Sequence, residues 1–89
     1  MLGRPKVLIL RLRHVPVLDA TGLQALENMY EKALREGTQL ILSGVTPQPR
    51  TVMNKSGFIG KIGAENVFDG IDSALERARE LVPDAKTQG

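Results

Sequence analysis

The sequence predicts an α/β domain with a mainly parallel sheet and the element order β-α-β-α-β-α. Three observations predict it. Two apolar runs, "KVLILRL" (6–12) and "TQLILSGV" (38–45), read as strands. The stretch between them repeats its apolar residues at helical spacing. The links are short, as in a right-handed βαβ unit with parallel strands and a covering helix.

Each element has its own signals. "KVLILRL" shows little alternation over its first half, the pattern of a strand buried on both faces. Pro16 cannot join an interior strand, so the strand ends before it. Asp19 is an N-cap, and Leu23, Leu26, Tyr30, Ala33 and Leu34 form the apolar stripe of a helix over 20–36. Gly37 closes that helix. The second strand stops at Gly44. Pro49 suits the first turn of a short helix running to Ser56, with Val52 and Met53 facing the core and Gly57 ending it. "SGFIGKIG" reads as a glycine-rich turn, and "AENVF" as a short last strand carrying Val67 and Phe68. "DGIDSALERARELV" is a final helix, capped by Asp69, with Asp72 in its first turn and Ile71, Ala74, Leu75, Ala78 and Leu81 as its stripe. Residues 1–5 are a start segment, 6–82 the domain and 83–89 a polar tail.

Composition narrows the function. A chain of 89 residues holds one small domain. Its net charge of +2 is spread among alternating acids and bases, with only Tyr30, Phe58 and Phe68 as aromatics, which speaks against nucleic-acid binding. The absence of cysteine removes disulfide frameworks and thiolate metal sites. His14 has no second histidine or acid at ligand spacing, so no metal is expected. No apolar run approaches the ~20 residues of a membrane span.

In open α/β sheets, sites lie beyond the carboxyl ends of the strands. Residues 13–22, residues 44–50 and the stretch around Asp69 meet there. No GxGxxG or P-loop pattern occurs, and "SGFIGKIG" follows a short helix instead of opening one. Thr21 has no histidine base in a fixed place, and Asp19 lacks the clustered acids of a metal-assisted phospho-acceptor. No catalytic residue and no cofactor is therefore expected. Two readings of Asp19-Ala20-Thr21-Gly22 remain open. Asp19 caps, Thr21 occupies the first turn and Gly22 permits close packing; or Thr21 receives a phosphate, or contacts a partner, at the positive end of the helix dipole. Ser43, Gly44 and Thr46 make a second candidate loop for a ligand or partner.

The stretch "LILRLRHVPVLDATGLQALENMYEKALREGTQLILSGVTPQPRTVMNKSGFIGKIGAENVFDGIDSAL" resembles the STAS domain, shared by the cytoplasmic tails of SulP-type anion transporters and by bacterial anti-sigma-factor antagonists. The resemblance covers about residues 6–82. It rests on the first strand, the Asp-x-Ser/Thr-Gly opening of the long helix, "LILSGV", and "SGFI…IG…NVF" before the last helix. "VPVLDATGLQAL", "LSGVTPQP" and "ENVFDGIDSALERA" are most similar to the transporter branch.

The resemblance implies a non-enzymatic regulatory module on the cytoplasmic face of the bacterial inner membrane. Its partners would be the transporter's own membrane domain, or a cytosolic regulator or kinase. The family's phosphorylatable hydroxyl maps onto Thr21. The alternatives are a soluble antagonist switched by phosphorylation at Thr21, and a nucleotide-binding regulatory domain. Domains of this family open with further strands and a helix ahead of the strand matching "KVLILRL". The chain is thus expected to hold the C-terminal portion of the domain and to form a homo-oligomer through the edge so exposed.

Overall fold

The computed structural model describes residues 6–82; the start segment and the polar tail lie outside the described residues. In chain order come β1 (Lys6–Arg11), α1 (Ala20–Arg35), β2 (Thr38–Ser43), α2 (Pro47–Ser56), α3 (Phe58–Ile62), a 3₁₀ turn (Ala64–Asn66) and α4 (Ile71–Leu81). The strands pair in parallel, from Lys6 opposite Thr38 to Arg11 opposite Ser43. The α/β class and the βαβ unit therefore stand.

β2 is the centre of the molecule. Leu40, Ile41 and Leu42 are each 0% exposed. Successive strand side chains point to opposite faces, so these three feed two different cores. Leu40 and Leu42 pack with Leu26, Ala33, Met53, Phe58 and Val67, contributed by α1, α2, α3 and the stretch after them. Ile41 packs with Ala74 and Ala78 of α4. Helices thus cover both faces of the sheet. The small side chains of Ala74 and Ala78 let α4 lie close to the sheet.

Glycines make the sharp junctions. Gly37 (φ +71°) lets the chain leave α1 and enter β2 directly. Gly57 (φ +84°) ends α2 and begins α3.

Several expectations are corrected. β1 alternates between exposed and half-buried residues, and Leu8 is 44% exposed, so this strand is not covered on both faces. Among the described residues β1 pairs only with β2, which leaves its other edge without a strand neighbour. Leu34 lies at the margin of the α1 stripe and is 57% exposed. The helix after β2 begins at Pro47, two residues before Pro49, with Thr46 as its N-cap, and Pro49 stays in its first turn as expected.

"SGFIGKIG" is not a turn, because Phe58, Ile59 and Ile62 share one face of α3 and are all buried. Burying them outweighs the ~1 kcal/mol that Gly60 costs a helix. "AENVF" is not a full strand. It forms the 3₁₀ turn and one parallel bridge, Leu42–Val67, extended by Phe68 N donating to Leu42 O at 2.8 Å and Val45 N to Phe68 O at 3.1 Å. Asn66 explains the shortening. It is buried, its Nδ2 donates to Ile62 O at 2.8 Å, and its Oδ1 accepts from Arg77 Nε at 3.0 Å. Those bonds hold Asn66 in the turn and tie the turn to α4. Finally, Asp69 does not cap α4. Gly70 is the N-cap, and the Asp69 carboxylate accepts from Arg50 Nη2 at 2.8 Å.

The inside–outside division of the strands is testable. Leu40→Ala is expected to cost about 2–5 kcal/mol, a large share of the stability of a domain this small. Leu8→Ala is expected to cost less than about 1 kcal/mol. Urea midpoints of the two variants check this, and equal losses would contradict the position of β1.

Candidate functional site

The turn Asp19–Gly22 follows a loop whose backbone is held by distant residues. Leu12 N donates to Ser43 O at 2.8 Å and continues the strand pairing by one rung. The chain then turns at Arg13–His14, with Val15 N donating to Leu12 O at 2.9 Å. The Thr46 hydroxyl donates to Val15 O at 3.2 Å. Gln48 meets both backbone groups of Leu18: its Oε1 accepts from Leu18 N at 2.7 Å, and its Nε2 donates to Leu18 O at 3.3 Å. The side-chain amide stands in for a neighbouring strand. The buried Leu18 side chain anchors the same point in the core.

Asp19 then opens α1. Its backbone is extended (φ −96°, ψ −179°), and its Oδ1 accepts from Gly22 N at 2.8 Å. Its carbonyl accepts from Leu23 N at 2.9 Å, the first bond of the helix. Gly22 is a matter of space. A Cβ there would lie 2.9 Å from Leu18 Cδ1 and 3.3 Å from Asp19 Oδ1. The close packing expected of Gly22 is thus against Leu18, the residue that Gln48 holds.

Ala20 and Thr21 lie exposed on the outer side of the turn. The Thr21 hydroxyl makes no hydrogen bond among the described residues, so none of them holds a base against it. His14, in the exposed turn between β1 and α1, makes no hydrogen bond to it. The Asp19 carboxylate is engaged with Gly22 N. The turn is therefore a formed, exposed corner with a hydroxyl at a helix N-terminus.

The second candidate loop divides. Thr46 belongs with the corner, through its bond to Val15. Ser43 and Gly44 line a different feature, a cleft of about 250 Å³ that also involves Arg11, Arg13, Asp69, Gly70 and Ile71. At Gly44 (φ +68°) a Cβ would sit 2.9 Å from the backbone N of Arg13, so only glycine lets the two loops touch. The stretch around Asp69 therefore meets Ser43 and Gly44, as expected, but Asp19 and Thr21 are not among the residues lining this cleft. Among the described residues no three histidine or acidic side chains gather as a metal site, and no helix is long and apolar enough to cross a membrane.

Sequence reasoning missed Gln48 and the two arginines. Gln48 had one usable signal: a long amide side chain between two prolines in the first turn of α2. The arginines had none, because their convergence depends on the Gly44–Arg13 contact.

Losing the cap in Asp19→Ala is expected to cost about 0.5–2 kcal/mol. Gln48→Ala is expected to cost about 1–3 kcal/mol, since it strands the Leu18 amide. Gly22→Ala should destabilise despite the better helix propensity of alanine, because the Leu18 side chain must move. Equilibrium unfolding of the three variants checks the set, and a stabilised Gly22→Ala would contradict the packing.

Comparison with known proteins gives a consistent result. The STAS domain family model matches residues 2–74. The chain is 32% identical over 69 residues to "Putative sulfate transporter YvdB" of Bacillus subtilis, covering 78% of this chain and 13% of that protein. It is 29% identical over 75 residues to "Sulfate transporter 1.2" of Arabidopsis thaliana, covering 84% of this chain and 12% of that protein. The chain thus spans about an eighth of the length of these relatives. Among solved structures it is similar to a sulfate transporter family protein from Wolinella succinogenes, with TM-score 0.85 and 48% identity over 93% of this chain and 68% of that one. The SulP transporter STAS domain from Vibrio cholerae gives TM-score 0.83 and 30% identity, over 96% of this chain and 66% of that one.

Proposed function

The chain belongs to the STAS domain family, and on that premise we propose that it is the regulatory module of a SulP-type sulfate or anion transporter, acting through protein contacts and not through catalysis. The observation that carries this reading is the likeness to solved domains of sulfate transporter proteins, joined to a corner that is exposed, capped and, among the described residues, without a catalytic base. In this reading the module sits on the cytoplasmic face of the bacterial inner membrane. Ala20 and Thr21 face the transporter's membrane domain or a cytosolic regulator. Pairing of two copies along the outer edge of β1 belongs to the same proposal.

A second reading is favoured by one observation, the unengaged Thr21 hydroxyl in the first turn of α1. It makes the chain an anti-sigma-factor antagonist that a kinase switches at Thr21. A phosphate there would put about two negative charges beside free backbone N–H groups, a position the fold tolerates.

Thr21→Glu tests the corner. A first-turn acid is favoured by about 0.3–1 kcal/mol, so the fold should be kept. Sulfate uptake by cells expressing the intact transporter is expected to change several-fold at equal protein level. Unchanged uptake, with unchanged affinity for the membrane domain, would remove the interaction role. Nucleotide hydrolysis abolished by Thr21→Ala would overturn the non-catalytic reading.

A further inference from the structure

The two faces of the sheet are covered unequally. On one face α1, α2 and α3 build a core around Leu40 and Leu42, with Leu26, Met53, Phe58 and Ile62 buried in it. On the other face α4 lies alone. Among the described residues, those fully buried there are Ile41, Ala74 and Ala78, and Val7 and Ile9 of β1 are only partly buried beside them. Two of these three are alanines, which bring little apolar area to the contact. The fastenings differ in the same way. In the first layer the Gln48 amide clasps Leu18, and the Tyr30 hydroxyl ties α1 to α3. Among the described residues one side-chain hydrogen bond joins α4 to another element, Arg77 Nε donating to Asn66 Oδ1 at 3.0 Å. The Arg50–Asp69 pair lies just ahead of the helix, and Asp69 is exposed, so solvent screens it.

We propose that α4 is a hinged cover, which opens about Asp69–Gly70 as a unit of its own while β1, β2, α1, α2 and α3 stay folded. The helix has 11 residues and no side-chain cap. A helix that short is marginal by itself in water, so its docking decides whether it forms. Just before the hinge the chain stays fixed, because Phe68 N donates to Leu42 O and Phe68 O accepts from Val45 N. Asp69 and Gly70 then form an exposed bend that can swing. Opening breaks the Arg77–Asn66 bond and uncovers Ile41, Val7 and Ile9. It leaves the core around Leu40 and Leu42 intact, together with the Gln48 and Tyr30 bonds. The open state therefore lies between the native and the unfolded chain in free energy. Such an element gives the domain a second state, which a binding event or a change of charge at Arg77 can populate. The inference stands on the packing of α4 and does not depend on the transporter reading.

Native-state hydrogen exchange of the 89-residue chain in sub-denaturing urea tests it. The amides of Leu75 and Ala78 are expected to exchange about tenfold or more faster than those of Leu40 to Leu42. Their dependence on urea should be weaker than that of β2 but not zero, because opening exposes only part of the surface that unfolding exposes. Two variants separate opening of the helix from unfolding of the domain. Ile62→Val trims the other core mildly, so the fold is kept. It should speed exchange in β2 several-fold and leave Leu75 and Ala78 unchanged, since the Ile62 contacts survive in the open state. Arg77→Met removes the bond that opening breaks, so it should speed Leu75 and Ala78 several-fold. Exchange of α4 and β2 at the same rate, sped alike by Ile62→Val, would overturn the proposal, because α4 would then open only with the whole domain. Exchange in α4 that ignores urea altogether, or that Arg77→Met leaves unchanged, would overturn it as well.

Discussion

The architecture depends on β2 being dry on both faces. A strand in that position alternates its side chains between two cores, so Leu40 and Leu42 commit one layer of helices and Ile41 commits the other. Its backbone is equally constrained, because buried N–H and C=O groups must be paired. β1 supplies one ladder, and the Val67–Phe68 stretch supplies a short one on the other side. The loops that leave this strand then inherit fixed positions. Ser43 O holds Leu12, and Val45 is held by Phe68 O, so the loop before α1 and the start of α2 both begin from β2.

From that origin the corner is assembled by side chains standing in for backbone. Gln48 pairs with Leu18 on both its groups, and Thr46 takes the carbonyl of Val15. Asp19 and Gly22 then close the helix cap against the Leu18 side chain. A loop held in this way would need little further ordering on binding the partner proposed for it. That spares part of the entropy cost of association. Elsewhere α1 is fastened to α3 by the Tyr30 hydroxyl, which donates to Lys61 O at 2.7 Å, and by the edge-on contact of Tyr30 with Phe58. The exposed turn thus sits on a helix anchored near its middle as well as at its cap.

What was legible in the sequence is what local chemistry decides. Asp19 as a cap, Gly37 and Gly57 as helix ends, and the βαβ order all follow from residue preference and spacing. What was not legible depends on contacts across the chain. "FIGKI" has too few residues to show a period, and its burial is conferred by α1 and β2. "AENVF" has strand-like composition, but the buried Asn66 amide is satisfied by Ile62 and Arg77 instead of a ladder. Asp69 stands where a cap belongs, yet Arg50, 19 residues away, claims its carboxylate. The apolar composition of β1 suggests burial on both faces, while the structure covers it only in part. The candidate site shows the same division: Asp19 and Gly22 were readable as a motif, and Gln48 was not.

The corner is preformed by the Gln48 clasp. Native-state hydrogen exchange of the Leu18 amide tests it most directly. That amide lies in a loop with no secondary structure of its own, so its protection reports the Gln48 bond. The account predicts that Leu18 exchanges about as slowly as the amides of β2, opening only with the domain as a whole. It also predicts that Gln48→Ala makes Leu18 exchange fast while β2 stays protected. Rapid exchange at Leu18 in the unaltered chain would contradict it.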